Sequence, residues 1–318
     1  MVGSTDAHAP RHSETSEATL DTYRALRVAL VGAGLLLIFS VVLQSVRVGA
    51  VPSSISATFY SPVRGVLVSV LLAVGLALVA IKGRPGLENG LLDLAGLLVP
   101  LVGFVPTPIV LATLPAVDAA DFVCPDPGVA CVPADVVPGV ENNAAAYGLL
   151  GVVALGYVWL RLLAAARAGQ AWRSRTTRGV ATATLAWAAL GAWFLFGRTS
   201  FLMHAHYVCA VGFFALLTAV VWLNGRNTQP GADLLRMSER GYRRWYYGIA
   251  VTMAAAVIVA IVVFLVRGDG AVPETFPVTF WLEIVLLLAF VAFWVLQTAE
   301  HWNHTAPPAD GADAIPWS

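Results

Sequence analysis

Apolar stretches alternate with short polar connections along the chain, and each stretch is long enough to cross a bilayer. They lie near 26–46, 62–82, 90–114, 144–163, 179–197, 201–223, 245–266 and 278–299. A helix rises about 1.5 Å per residue, so about 20 apolar residues cover a hydrocarbon core of about 30 Å. The pattern predicts an all-α, polytopic transmembrane helical bundle of eight spans, filling residues 23–303. The flanking segments, 1–22 and 304–318, are rich in Ser, Thr, Ala, Pro and Asp and are read as tails with little to bury. The first span follows Arg24 and Arg27 and holds 19 uncharged residues, Val28 to Val46. That exceeds the core of a cleaved signal peptide, so a retained anchor is expected.

Charge orients the pattern. Of the 19 lysines and arginines, an N-terminus inside leaves only Arg47, Arg64, Arg198 and Arg267 outside. The positive-inside rule is then satisfied in every inner loop, and both termini are expected in the cytoplasm of a bacterial plasma membrane. Trp159, Trp172, Trp222, Trp245, Trp281 and Trp302 fall near span ends, where an amphipathic ring prefers the headgroup level. Composition agrees: 58% hydrophobic and 12% charged residues leave too little polar surface for a soluble globule of this length. A net charge of zero gives no case for a nucleic-acid binder, so the expected partner is membrane lipid and no nucleic acid.

The 115–142 loop is then external and carries Asp118, Asp121, Asp126, Asp135 and Glu141. It also holds Cys124 and Cys131, and an oxidising compartment makes a disulfide between them the expectation. Small residues recur at packing spacing in the fourth and fifth spans, at Ala144, Gly148, Ala181, Ala188 and Ala192, with Leu185 among them. Close helix approach in lipid depends on such residues, so these spans are expected to sit centrally. Pro100 and Pro106 interrupt the third span, as a packing kink or as a hinge.

Ionisable groups fall at two depths. Ser61-Pro62 reads as a cap and first helical position opening the second span, which puts Arg64 in a first turn where a cation is disfavoured. The other outer arginines are read as closing helices. Arg64 is open to two readings: an anion site beside Ser56 and Tyr60, or an ion pair with Glu283. His204 and His206 open the sixth span; two positions apart on a helix they diverge by about 200°, so they cannot share a metal on a regular helix. Ser56, Tyr60, Arg64, His204, His206 and Glu283 form the outer candidate cluster. Glu88, Asp93, Glu300, His301 and His304 form an inner one, where Glu300 and His304 share a face at i,i+4 and could hold a metal or pass a proton, or merely complement helix ends. No HExxH, GxSxG or phosphate-binding glycine loop occurs, and no cofactor is expected.

Four segments carry a resemblance: Ser53 to Gly65 with Tyr60-Ser-Pro-Val-Arg64, Glu88 to Gly96 with Asp93, the external Cys124 and Cys131 followed by Glu141-Asn-Asn143, and Phe293 to Trp302 with Gln297 and Glu300. They resemble a largely actinobacterial family of bacterial multi-pass membrane proteins, which implies the architecture and brings no activity with it. A fainter resemblance is to the membrane hydrolase superfamily of alkaline ceramidases and progestin/adiponectin-type receptors. Ser56, Asp93, His204, His301 and His304 supply the Ser, Asp and three His that surround zinc there. The chain departs from that pattern where the last helix has His301-xx-His304 instead of HxxxH, and where Ser56 and His204 are outer while Asp93 and His301 are inner. The expected function is that of a non-enzymatic integral membrane protein binding a lipid or small ligand at an outer pocket or serving as an assembly component. A metal-dependent membrane lipid hydrolase, which alone would need zinc, is the alternative, and a small-molecule transporter the third.

Overall fold

A computed structural model describes residues 11–81, 83, 86–111, 122–126, 128–168, 174–228, 234–267 and 277–302. Among them are eight α-helices and no strand beyond an isolated antiparallel bridge between Ile109 and Cys131. The helices are α1 (Arg11–Val48), α2 (Arg64–Ala80), α3 (Leu87–Phe104), α4 (Val137–Arg167), α5 (Ser174–Phe196), α6 (Arg198–Arg226), α7 (Glu239–Arg267) and α8 (Val278–Glu300). Seven are long and apolar enough to cross a membrane. The exception is α2, whose 17 residues reach about 25 Å.

Six helices close a ring in which α1 packs on α2, α2 on α3, α3 on α6, α6 on α7, α7 on α8 and α8 back on α1. At the seam of α2 and α3 the two backbones approach closely. A Cβ placed on Gly75 would lie 2.8 Å from the Gly96 carbonyl oxygen, and one on Gly96 would lie 2.8 Å from that of Gly75, so the crossing needs a glycine on both helices. Inside the ring, Leu217, Val220, Met253, Phe293 and Trp294 are wholly buried, and Phe213 meets Phe290 at 6.5 Å between ring centroids.

α4 and α5 stand outside this ring, which corrects the expected central position. Only 6% of the apolar stretch of each is buried inside the protein, against 50% for α3. Their small residues serve their contact with each other: Trp187 of α5 lies against Gly151, where any Cβ would collide with the indole, and its ring N–H donates to the Gly148 carbonyl at 3.1 Å. Tyr147 ties the pair to α3 by donating to the Leu97 carbonyl at 3.2 Å. Small-residue spacing thus marked a helix contact without revealing the neighbour.

Three boundaries also differ. α1 begins at Arg11, inside the segment read as a tail, because Glu14, Glu17, Ala18 and Leu20 favour a helix although the segment as a whole is polar. α3 ends at Phe104 rather than near 114. Pro106 forces Val105 into an extended conformation (φ −103°, ψ 106°) and the chain leaves the helix there, while Pro100 is accommodated within it. Arg198 opens α6 after the break at Gly197 rather than closing α5, and it pairs with Glu141 of α4. The Cys124–Cys131 disulfide is formed.

Candidate functional site

Because the ring helices run alternately up and down, the connection 49–63, the end of α3 and the starts of α6 and α8 meet at one end of the bundle, the Ser56 end. The starts of α1, α3 and α7 and the ends of α6 and α8 meet at the other, the Arg27 end.

At the Ser56 end the connection between α1 and α2 folds into the bundle as a short 3-10 helix, Ser56–Tyr60, with Ser54, Ile55 and Thr58 buried beside it. The first N–H groups of any helix lack internal partners. Here Glu283 of α8 supplies one: its Oε2 accepts from the backbone N–H of Ile55 and, at 3.2 Å, of Ser56. Ser54 Oγ accepts from the Ala57 N–H at 2.8 Å. A carboxylate is also suited to the positive end of a helix.

The same carboxylate belongs to a longer chain of hydrogen bonds. Ser56 Oγ lies 2.8 Å from Glu283 Oε1 and 2.9 Å from His206 Nε2, and His206 Nδ1 lies 2.8 Å from the Val105 carbonyl oxygen. A carbonyl only accepts, so Nδ1 carries a proton. Two bonds remain, flanking Ser56, and its hydroxyl supplies one hydrogen. The second sits either on His206 Nε2, giving an imidazolium and a carboxylate, or on Glu283 Oε1, giving a neutral imidazole and a carboxylic acid. In both states the His206–Ser56–Glu283 chain has no net charge, and the Ser56 hydroxyl lies between the two groups that differ by the proton. The Val105 carbonyl is free for His206 because Pro106 ended α3.

Of the six outer candidates, Ser56, His206 and Glu283 are brought together. Tyr60, though on the same 3-10 helix, donates instead to the Thr107 carbonyl at 2.9 Å, and Thr107 Oγ1 meets the Tyr207 hydroxyl at 2.7 Å. Burial, and then Tyr207, hold the Tyr60 phenol well above the ordinary tyrosine range, with Arg64 opposing. His204 faces its own helix, with Nδ1 3.0 Å from the Ser200 carbonyl. The expected Arg64–Glu283 ion pair is not made, because Ile55 and Ser56 take the carboxylate. Arg64 is exposed, with its guanidinium 4.2 Å over the Phe59 ring.

At the Arg27 end the structure joins Glu88 and Glu300 of the inner candidates through residues that sequence reasoning passed over. The Tyr246 hydroxyl donates to Glu300 Oε2 at 2.5 Å, and Asn224 Nδ2 donates to Glu88 Oε1 at 3.3 Å. Glu300 is 1% exposed, and His301 Nδ1 lies 3.6 Å from its Oε2. Arg27, itself buried, donates from Nη1 to the His301 carbonyl at 3.2 Å, and Arg24 from Nε to that of Trp302 at 2.6 Å. Basic side chains thus hold the two carbonyls that follow α8, those of His301 and Trp302. Asp93 lies half-buried further along α3, and His304 is outside the described residues. Among the described residues no three His, Cys, Asp or Glu side chains converge as a metal would require. Asn224 and Gln297, amides inside apolar spans, were the signal that could have flagged this end.

Comparison with protein-family models, curated proteins and solved structures found no match to this chain.

Proposed function

We propose that the chain is an eight-span membrane protein with both termini in the cytoplasm, and that it binds a lipid headgroup or small polar ligand at its outer, Ser56 end. The observation that carries this reading is the convergence of Ser56, His206 and Glu283, up to 227 residues apart in sequence, on one half-buried hydroxyl. A ligand reaching that hydroxyl meets a donor, an acceptor and an exchangeable proton without a change in net charge. The packed apolar interior between the two ends argues against a through-path and so against the transporter reading.

The hydrolase reading keeps one specific support. A serine hydroxyl at 2.9 Å from an imidazole whose other nitrogen is anchored is the pairing of a nucleophile with its base. Against it, Glu283 already occupies the backbone N–H groups of Ile55 and Ser56, the donors that would cradle an oxyanion. A photoreactive phospholipid added to intact cells tests binding: crosslinks should map to 53–60 or 280–283 and be lost in Ser56→Ala. Crosslinks confined elsewhere would remove the outer site from the account. Covalent labelling of Ser56 by a fluorophosphonate would instead establish a nucleophile, and stoichiometric zinc lost in His204→Ala would establish the metal-dependent rival.

A further inference from the structure

On the flank of the ring, α3, α6 and α7 enclose a groove of about 410 Å³, within the range of small-ligand sites, about 300–1,000 Å³. Its trough exists because Ala215 and Ala219 of α6 face Ala250 and Ala254 of α7. The lining is apolar, and its one hydroxyl, Thr218, is already bonded to the Phe214 carbonyl at 2.7 Å. Water gains nothing in such a space, whereas a hydrocarbon chain fills it.

Helical register determines what lies beyond the groove toward the Arg27 end. On α6, Trp222 lines the groove and Arg226 follows one turn later. On α7, stepping back from Ala250 and Val251 by three or four residues reaches Tyr247, then Arg243 and Arg244, then Arg240. Trp222 and Tyr247 stack across the two helices with centroids 4.6 Å apart. Gly225 seats that pair, since a Cβ there would come within 2.8 Å of the Tyr247 ring. Arg226, Arg240 and Arg244 are exposed just past the aromatic pair, and the neighbouring carboxylate of Glu239 is already held by Arg243. An apolar trough, an aromatic neck and an arginine rim follow one another in the order of acyl chain, glycerol and phosphate in a lipid.

We infer that this groove binds an anionic phospholipid, one acyl chain lying between α6 and α7 and its headgroup meeting Arg226 and Arg244. The site is at the opposite end from Ser56 and does not depend on the ligand proposed there.

Native mass spectrometry of the full-length protein, released from detergent with phosphatidylglycerol or phosphatidylcholine of identical chains, tests it. Phosphatidylglycerol should remain bound under activation that strips phosphatidylcholine. Arg226→Gln and Arg244→Gln should each weaken its retention about fivefold and leave phosphatidylcholine unchanged. Ala219→Leu, which fills the trough from a face needing no repacking of the ring, should weaken both lipids. Equal retention of the two lipids by the unaltered protein would overturn the inference, as would retention indifferent to Ala219→Leu. A second measurement needs no charge variant: phosphatidylglycerol brominated along its chains should quench tryptophan fluorescence, and Trp222→Phe should remove that quenching. Quenching that survives Trp222→Phe undiminished would place the lipid elsewhere.

Discussion

The two polar ends of the ring are built on opposite terms. At the Ser56 end, every hydrogen-bonding atom of the His206–Ser56–Glu283 chain has a partner, and one proton neutralises the set. At the Arg27 end the polar atoms are less completely matched: Arg27 Nε, Trp294 Nε1 and Gln297 Oε1 are buried with no hydrogen-bond partner among the described residues. The first end stabilises irregular backbone, supplying N–H groups with an acceptor where a non-helical connection enters the bundle. The second anchors a helix terminus and offsets buried charge with buried charge. α8 is the member common to both: Glu283 ties its start to the connection between α1 and α2, and Arg24 and Arg27 of α1 hold the two carbonyls just past its end. Seventeen residues separate Glu283 from Glu300, about 25 Å along the helix, so the two ends bracket the hydrocarbon and packed apolar side chains insulate them from each other.

The largest effect is expected at Glu300, a carboxylate only 1% exposed. Glu300→Leu leaves the Tyr246 hydroxyl without its acceptor and removes a carboxylate whose charge favours the buried Arg27 guanidinium. Breaking a buried charged network costs about 3–5 kcal/mol, and denaturant unfolding of the detergent-purified protein should register a loss of that size. A loss below about 1 kcal/mol would mean that the carboxylate is solvated, and the contrast between the ends would disappear.

At the Ser56 end, the substitution chosen for Glu283 should matter more than its removal from the list of acids. Glu283→Ala orphans the N–H groups of Ile55 and Ser56, at a cost of about 1–3 kcal/mol. Glu283→Gln reproduces the shape and hydrogen-bonding of the carboxylic-acid state: its oxygen accepts from the backbone and its amide donates to Ser56, whose hydroxyl turns to His206. It should cost less than Glu283→Ala in the same unfolding measurement. Glutamine as harmful as alanine would mean that the charged carboxylate, and not the shared proton, is what the site holds.

Much of this arrangement was legible in the order of residues. The apolar stretches located each of the eight α-helices among the described residues, and the outer candidate list already contained Ser56, His206 and Glu283. Their connectivity was not legible, because it depends on the turn that Pro106 imposes at Val105 and on a 3-10 helix only five residues long, neither of which leaves a periodic trace. Arg64 misled for a related reason. Both readings of it, as an anion site or as the partner of Glu283, assumed a regular helix beginning at Pro62, whereas α2 begins at Arg64 and that side chain is exposed. The inner end was hidden differently, since Arg27 was read only as a topology marker and Tyr246, the partner of Glu300, was passed over.

Ser56→Ala should have a smaller effect than either glutamate substitution. It removes the relay hydroxyl but keeps the Ile55 and Ser56 backbone bonds to Glu283, so the cost should be about 1 kcal/mol. Its signature is spectroscopic. With the bridging hydroxyl gone, infrared difference spectra on titration should show the Glu283 carboxyl band changing independently of His206. In the unaltered protein the two should respond together, and separate responses there would remove Ser56 as a relay.

Arg64→Leu should have the smallest effect. Its guanidinium is exposed over Phe59, and a cation–π contact at an exposed site contributes about 0.5–1 kcal/mol. A leucine at this end of α2 is also compatible with lipid, which offsets part of that loss. Because Arg64 shares no hydrogen bond with Glu283, the double variant Arg64→Leu, Glu283→Ala should lose the sum of the two single losses to within about 0.5 kcal/mol. Thermal unfolding of the four proteins in one detergent closes this cycle. A coupling above about 1 kcal/mol would show that Arg64 feels the Glu283 charge despite their separate partners, and the Ser56 end would then be an extended charged network of the kind found at the Arg27 end.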